Sequence, residues 1–275
     1  MQLKKKNDCL IIEIDAFGEV WETKFLLSSD EHYDSKGCDR ELLKRDWGIA
    51  KENKIPILNF GDFFDVMGKK FDPRTNMLDI RPEYKEADNK DMYLDLIAKD
   101  GVKFLDNYNV LMMVEGNHEY EIRKRSEMNF LQYVTNSIHS KPYLMGYDGY
   151  VRFIFNITKT RKQRIDLYYT HGTGGASPVT KGAITAQRRQ HDINADIYVS
   201  GHTHQAYEIP KVIRYLDGAG IEQRKKVLHI SLPTFKTDRD QWGKMKGFGN
   251  TDAGSRFLNF YKDKSIIKFE ATDVR

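Results

Sequence analysis

Five segments of this 275-residue chain deliver Asp, Asn or His where a short apolar run ends. Residues 25–29 lead into Asp30-Glu31-His32, residues 57–60 into Gly61-Asp62-Phe63-Phe64-Asp65, and residues 112–115 into Gly116-Asn117-His118-Glu119. Further on, residues 166–169 lead into Thr170-His171-Gly172, and residues 197–200 into Gly201-His202-Thr203-His204. Carboxylate, amide and imidazole offer hard oxygen and borderline nitrogen with no thiolate, a donor set suited to Mn, Fe or Zn rather than to a cysteine-type structural site. Residues two apart in an extended chain point the same way, so Asp30 and His32 are expected to reach one ion together, and so are His202 and His204 if their turn stays extended. His139, His191 and His229 lack such a setting and read as surface or core residues.

The elements that must carry these segments alternate between strand and helix, with ligand positions at the carboxyl ends of the strands, where α/β sheets bind ligands. Hydrophobic patterning predicts strands at 9–15, 24–29, 55–60 and 110–114. Leu42, Leu43, Trp47 and Ala50 predict a helix capped by Asp39. Tyr93, Leu96, Ile97, Phe104, Leu105 and Tyr108 mark one face of a longer one, and another is expected over about 120–137. Residues 151–157 and 164–169 read as a hairpin-like pair, followed by a helix near 181–191 and a strand at 196–199. The last third reads as antiparallel strands at 212–215, 226–231, 257–261 and 265–269. Two long polar stretches, about 68–89 and 236–255, are expected as inserted loops of a single domain spanning 1–275.

Composition narrows the class. There are 44 Lys and Arg against 40 Asp and Glu, a formal charge of +4, too mild to announce nucleic-acid binding by itself. Apolar runs fall far short of a membrane span. The amino terminus lacks the pattern of a secretory signal, and two cysteines in a chain of this length read as reduced thiols, so the expected location is the cytoplasm.

In order, Asp-x-His, Gly-Asp-x-x-Asp, Gly-Asn-His-Glu, Thr-His-Gly and Gly-His-x-His resemble the calcineurin-like metallophosphoesterase superfamily over residues 24–205. The resemblance implies an α+β, four-layer α/β/β/α sandwich of two mixed β-sheets flanked by helices, with two divalent metal ions at the strand ends. Manganese is favoured, with iron, zinc, nickel or cobalt as alternatives. It further implies one ion held by Asp30, His32 and His204, a second held by Asn117, His171 and His202, and Asp62 bridging them. His118 would stay off the metals and serve as the catalytic acid, oriented by Asp65. Two such ions can lower the pKa of a shared water and clamp phosphate oxygens, so the implied reaction is phosphoester hydrolysis by a metal-bridging hydroxide. Glu119 and Asp34 read equally as supports of the ligands or as caps.

Gly61-Asp62-Phe63-Phe64-Asp65 lacks the arginine that follows in phosphoprotein phosphatases, and Asp30-Glu31-His32 lacks their flanking glycines. Both look more like the exonuclease and phosphodiesterase branch. The favoured substrate is nucleic acid or a nucleotide. Alternatives are a phosphomonoesterase acting on a small metabolite or phosphoprotein, and an adaptor that keeps the fold without chemistry. Of four basic clusters, Arg188 and Arg189 are the pair expected near a phosphate, and the two inserted loops are expected to rim the pocket, the second bringing Trp242, Lys244, Lys246 and Phe248. Oligomeric state leaves no sequence signal.

Overall fold

The computed structural model describes residues 1–66, 79–85, 90–126, 128–174, 183–237 and 253–274. Strands β1 (Gln2–Lys6), β2 (Cys9–Asp15) and β3 (Glu22–Ser28) come first, then α1 (Arg40–Glu52), β4 (Ile57–Asn59), α2 (Pro82–Lys85), α3 (Lys90–Leu105) and β5 (Val110–Val114). Next are α4 (Asn117–Ser126), α5 (Phe130–Ser137), β6 (Tyr143–Met145), β7 (Asp148–Asn156), β8 (Lys162–Thr170) and α6 (Ala183–Asp192). Strands β9 (Ile197–Ser200), β10 (Tyr207–Leu216), β11 (Glu222–Ser231), β12 (Arg256–Asp263) and β13 (Ile266–Asp273) complete the chain.

These strands form two mixed sheets. One has seven strands in the order β1-β2-β7-β8-β9-β11-β10, the other six in the order β13-β12-β3-β4-β5-β6. In the six-stranded sheet β3, β4, β5 and β6 are parallel, so their carboxyl ends emerge on one side. In the seven-stranded sheet β8, β9 and β11 are likewise parallel to one another. Strand alternation explains the layering. Phe25 and Leu27 of β3, Leu58 of β4, and Met112 and Val114 of β5 turn into a core shared with Phe153, Leu167, Ile197, Val199 and Ile230 of the other sheet. Their neighbours Leu26, Ile57 and Met113 face outward to Trp47, Ile97 and Val134 on α1, α3 and α5. On the far face, Tyr168, Tyr198 and Val227 form a smaller cluster with Ala195 and Ile193, next to α6. The expected sandwich of two mixed sheets with helices outside is therefore present.

Several element readings change. The single helix expected over 120–137 is two, because the side chain of Asn129 accepts a hydrogen bond from the Gln132 amide and starts α5 afresh. The hairpins of the last third go to different sheets: β10 and β11 pair antiparallel in one and β12 and β13 in the other, while β11 also runs parallel to β9. The lysine-rich β1, paired with β2 at the sheet edge, was not expected as a strand. Part of the first long loop is ordered, with Ile80 bridging Ser35 and Pro82–Lys85 helical. The rest of that loop, and 238–252 of the second with Trp242, Lys244, Lys246 and Phe248, lie outside the described residues.

Candidate metal centre

All five motifs converge at the strand ends. Asp30 and His32 follow β3, Asp62 follows β4, Asn117 and His118 begin α4 after β5, His171 follows β8, and His202 and His204 follow β9. The loops after β3 and β4 continue the ladder of their strands, with the amides of Asp30 and His32 donating to the carbonyls of Gly61 and Asp62 at 2.9 and 3.1 Å. The loops of the other sheet are joined similarly, Gly201 N to the carbonyl of His171 at 3.0 Å.

The local backbone is not the extended chain that the Asp-x-His spacing suggests. Asp30, His32, Asp62, His202 and His204 all have positive φ, between 47° and 66°, a region that non-glycine residues seldom occupy. Such strain gathers where a structure has to aim side chains. As a result His202 and His204 point to different clusters. Two glycines make the approach possible: a Cβ on Gly116 would lie 2.1 Å from Asp62 Oδ1, and one on Gly201 would lie 2.1 Å from Ser29 Oγ.

Three groups of donors result, each with its atoms within 4.8 Å of one another: Asp30, His32 and His204; Asp62, His171 and His202; and, sharing His32 with the first, His32, Asp65 and His118. In the first, His32 Nε2 and His204 Nε2 are 3.2 Å apart, and His204 Nε2 is 3.3 Å from Asp30 Oδ1. In the second, His171 Nε2 is 3.1 Å from Asp62 Oδ2, and Asn117 Oδ1 lies 3.2 Å from His171 Nε2 and 2.7 Å from His202 Nδ1. Asp30 Oδ1 reaches both of these groups, lying also 3.9 Å from His171 Nε2. The residues fit divalent ions: carboxylate, amide and imidazole atoms converge and no thiolate is among them.

Neighbouring groups fix the rings of the candidate ligands. A carbonyl can only accept, so His171 Nδ1 carries the proton it donates to the Phe60 carbonyl at 2.9 Å, and Nε2 is turned to the donors. His32 Nδ1 is 2.8 Å from Asp65 Oδ1. His118 Nδ1 donates to the main-chain carbonyl of Asp65 at 2.8 Å, while its Nε2 stands 3.8 Å from Asp62 Oδ2. The Asp65 carboxylate is 3.4 Å from His118 Nδ1, farther than from His32.

Burial and charge act against each other here. Burial raises Asp30, but the hydrogen bond from His204 and the nearby His171 outweigh it and bring the carboxyl down to about 2. Burial would lower His171, yet the Asp62 and Asp30 carboxylates push it up to about 10. For His32 burial wins over Asp65 and the imidazole falls to about 4.

Glu119 and Asp34 serve the loops. Glu119 Oε2 accepts from Gly116 N at 3.0 Å, reaching back from the first turn of α4 as in a capping box, and from Asp62 N at 3.2 Å, while Oε1 accepts from Phe64 N at 2.9 Å. Asp34 accepts from the amides of Asp65 and Val66 at 2.6 and 2.8 Å. Both are buried. Of the expected phosphate contacts, Arg188 is exposed on α6 and Arg189 is half-buried. Burial lowers the pKa of Arg189 against the opposing influence of Tyr207, Tyr168 and Tyr147, and the rings of Tyr147 and His171 meet edge-on at 5.5 Å between centroids. Lys236, whose Nζ lies 3.4 Å from Asp65 Oδ1, was not singled out from the sequence.

Among solved structures, a metallophosphoesterase from Sphaerobacter thermophilus matches at 14% identity and TM-score 0.36, covering 92% of this chain and 90% of that one. GAP50, the anchor in the inner membrane complex of Plasmodium, matches at 12% and 0.41, covering 92% and 89%. An uncharacterised protein of Streptococcus pneumoniae, described as a predicted phosphoesterase, matches at 12% and 0.32, covering 91% and 89%. No curated protein sequence gives a significant match. The family model described as calcineurin-like phosphoesterase matches residues 23–206, more than half of the chain. That span holds every one of the converging candidate ligand positions, and the chain belongs to the calcineurin-like phosphoesterase family.

Proposed function

We propose that this metal-dependent phosphoester hydrolase works with two divalent ions, manganese foremost, and is a phosphodiesterase acting on nucleic acid or a nucleotide. The observation that carries the two-ion reading is the pair of donor groups that Asp30 Oδ1 joins, 3.3 Å from His204 Nε2 and 3.9 Å from His171 Nε2. Asp30, His32 and His204 would hold one ion, Asn117, His171 and His202 the other, and Asp62 would be shared. Ions bound there would supply an activated water and screen the charge of the phosphate.

The protein's own groups do the rest. His118 is the acid. With Nδ1 given to the Asp65 carbonyl, its Nε2 faces the centre and can hand a proton to the departing oxygen. Asp65 steadies that ring through its carbonyl and the His32 ring through its carboxylate. The diester preference rests on the arginine-free Gly61-Asp62-Phe63-Phe64-Asp65 segment. Cys9 and Cys38 are free thiols, which supports a cytoplasmic setting. No helix among the described residues is long and apolar enough to cross a membrane.

Purified protein supplied with Mn should hydrolyse bis-p-nitrophenyl phosphate faster than p-nitrophenyl phosphate. Faster turnover of the monoester would replace the diester reading with a phosphomonoesterase.

A further inference from the structure

Among the described residues, Lys236 is the lysine or arginine whose charged nitrogen comes within 4 Å of a carboxylate of the five motifs, at 3.4 Å from Asp65 Oδ1. That oxygen also faces His32 Nδ1 at 2.8 Å and His118 Nδ1 at 3.4 Å. Lys236 is therefore gathered with a ligand candidate and the acid around one atom.

Its placement is built from the backbone. Phe235 N and Thr234 Oγ1 both donate to the carbonyl of Asp30, at 3.0 and 2.8 Å. Lys236 N donates to Thr234 Oγ1 at 2.9 Å, and Thr237 N donates to the Gly37 carbonyl at 3.0 Å. Lys236 also bridges Cys38. The stem lies along Gly37, where an added Cβ would come within 3.2 Å of Lys236 Cγ. The ammonium is thus held in register with Asp30, and the side chain keeps 13% of its surface exposed, the same fraction as His118.

A lysine beside a centre built for divalent cations opposes their binding, since like charges in a partly dry site repel. Here it offsets Asp65, leaving Asp30 and Asp62 as the proposed ligand carboxylates set against the charge of the ions. The arrangement gains from an anion brought among them.

We infer that Lys236 is a phosphate-binding residue of this site, its ammonium taking an anionic oxygen of the phosphoryl group on the side where His118 stands. The inference deepens the hydrolase reading and holds for diester and monoester alike.

The test compares wild type with Lys236→Met and Lys236→Arg, each checked for metal content. Inorganic phosphate is the probe, read by calorimetric titration and as an inhibitor of whichever nitrophenyl ester turns over faster. Loss of one charge-assisted contact should weaken phosphate about tenfold in Lys236→Met and lower kcat/KM by a similar factor through KM, with Lys236→Arg restoring most of both. Metal content should not fall, since removing a like charge favours the ions if it changes them at all. Phosphate affinity unchanged in Lys236→Met would overturn the inference, as would a loss that tracks metal content or that arginine fails to rescue. Which ester is preferred does not enter these outcomes, so a failed diester reading is told apart from a failed Lys236.

Discussion

The carboxylate of Asp65 sits closer to His32 than to His118: Oδ1 is 2.8 Å from His32 Nδ1, whereas His118 Nδ1 donates its main hydrogen bond to the Asp65 carbonyl. A carboxylate behind a ligating imidazole fixes its tautomer and raises its basicity. Asp65→Asn should therefore act first on metal retention, weakening it by about 10–100-fold in a metal titration. The His118 ring keeps its carbonyl partner in this variant. Full metal affinity with a slow chemical step would instead assign the carboxylate to the acid.

His118→Ala should show the opposite division. Its imidazole lies 3.8 Å from Asp62 and shares a donor group with His32 and Asp65, and it belongs neither to the group of Asp30, His32 and His204 nor to that of Asp62, His171 and His202. Metal content should stay at the wild-type level, while kcat falls by about 10²–10⁴-fold, as expected for loss of a general acid. Metal analysis with steady-state kinetics on the same preparation decides it.

Glu119 gathers the amides of Gly116, Asp62 and Phe64 on one buried carboxyl group. Truncation would leave these donors without their acceptor, at about 1–3 kcal/mol for each one left unsatisfied. Chemical denaturation should place Glu119→Ala well below wild type and Glu119→Gln between them, since the amide keeps one accepting oxygen. Equal stability of all three proteins would contradict this account.

His229 gives the fold an acid-sensitive point away from the centre. It is buried, stacked on Tyr198 at 4.4 Å, and burial, with Lys211 and Arg189, brings its pKa from 6.5 down to about 4. Because the folded value lies below the unfolded one, its contribution is complete above about pH 6.5 and lost as pH falls toward 4. Melting temperatures across that window should drop less steeply for His229→Phe than for wild type.

Much of this was legible in the chain. Val110–Val114 and Cys9–Asp15 are strands with the expected bounds, since continuous or alternating apolar residues leave little choice of face. Asp39 caps α1 as expected, its side chain accepting from Leu42 N at 2.9 Å. The break at Asn129 was not legible, because no glycine or proline marks it and the cap outweighs continuous helix propensity. Neither was the left-handed backbone of the candidate ligand residues, since Asp and His more often adopt negative φ. Lys236 was hidden for another reason: it reaches Asp65 across 171 positions of chain, through sheet order that local patterning does not carry.

The donors are divided between the two sheets. Asp30, Asp62 and Asn117 come from the ends of β3, β4 and β5, and His171, His202 and His204 from the ends of β8 and β9. Ions held among them would act as rivets through the open end of the sandwich, adding folding stability by mass action, about 2.7 kcal/mol at a free concentration one hundred times the dissociation constant. Chelation should lower the melting temperature, and hydrogen exchange should quicken first at the amides of Gly61, Gly116 and Gly201. On this view the metals are fasteners as well as reagents, and the seam they close would be where the two sheets begin to part.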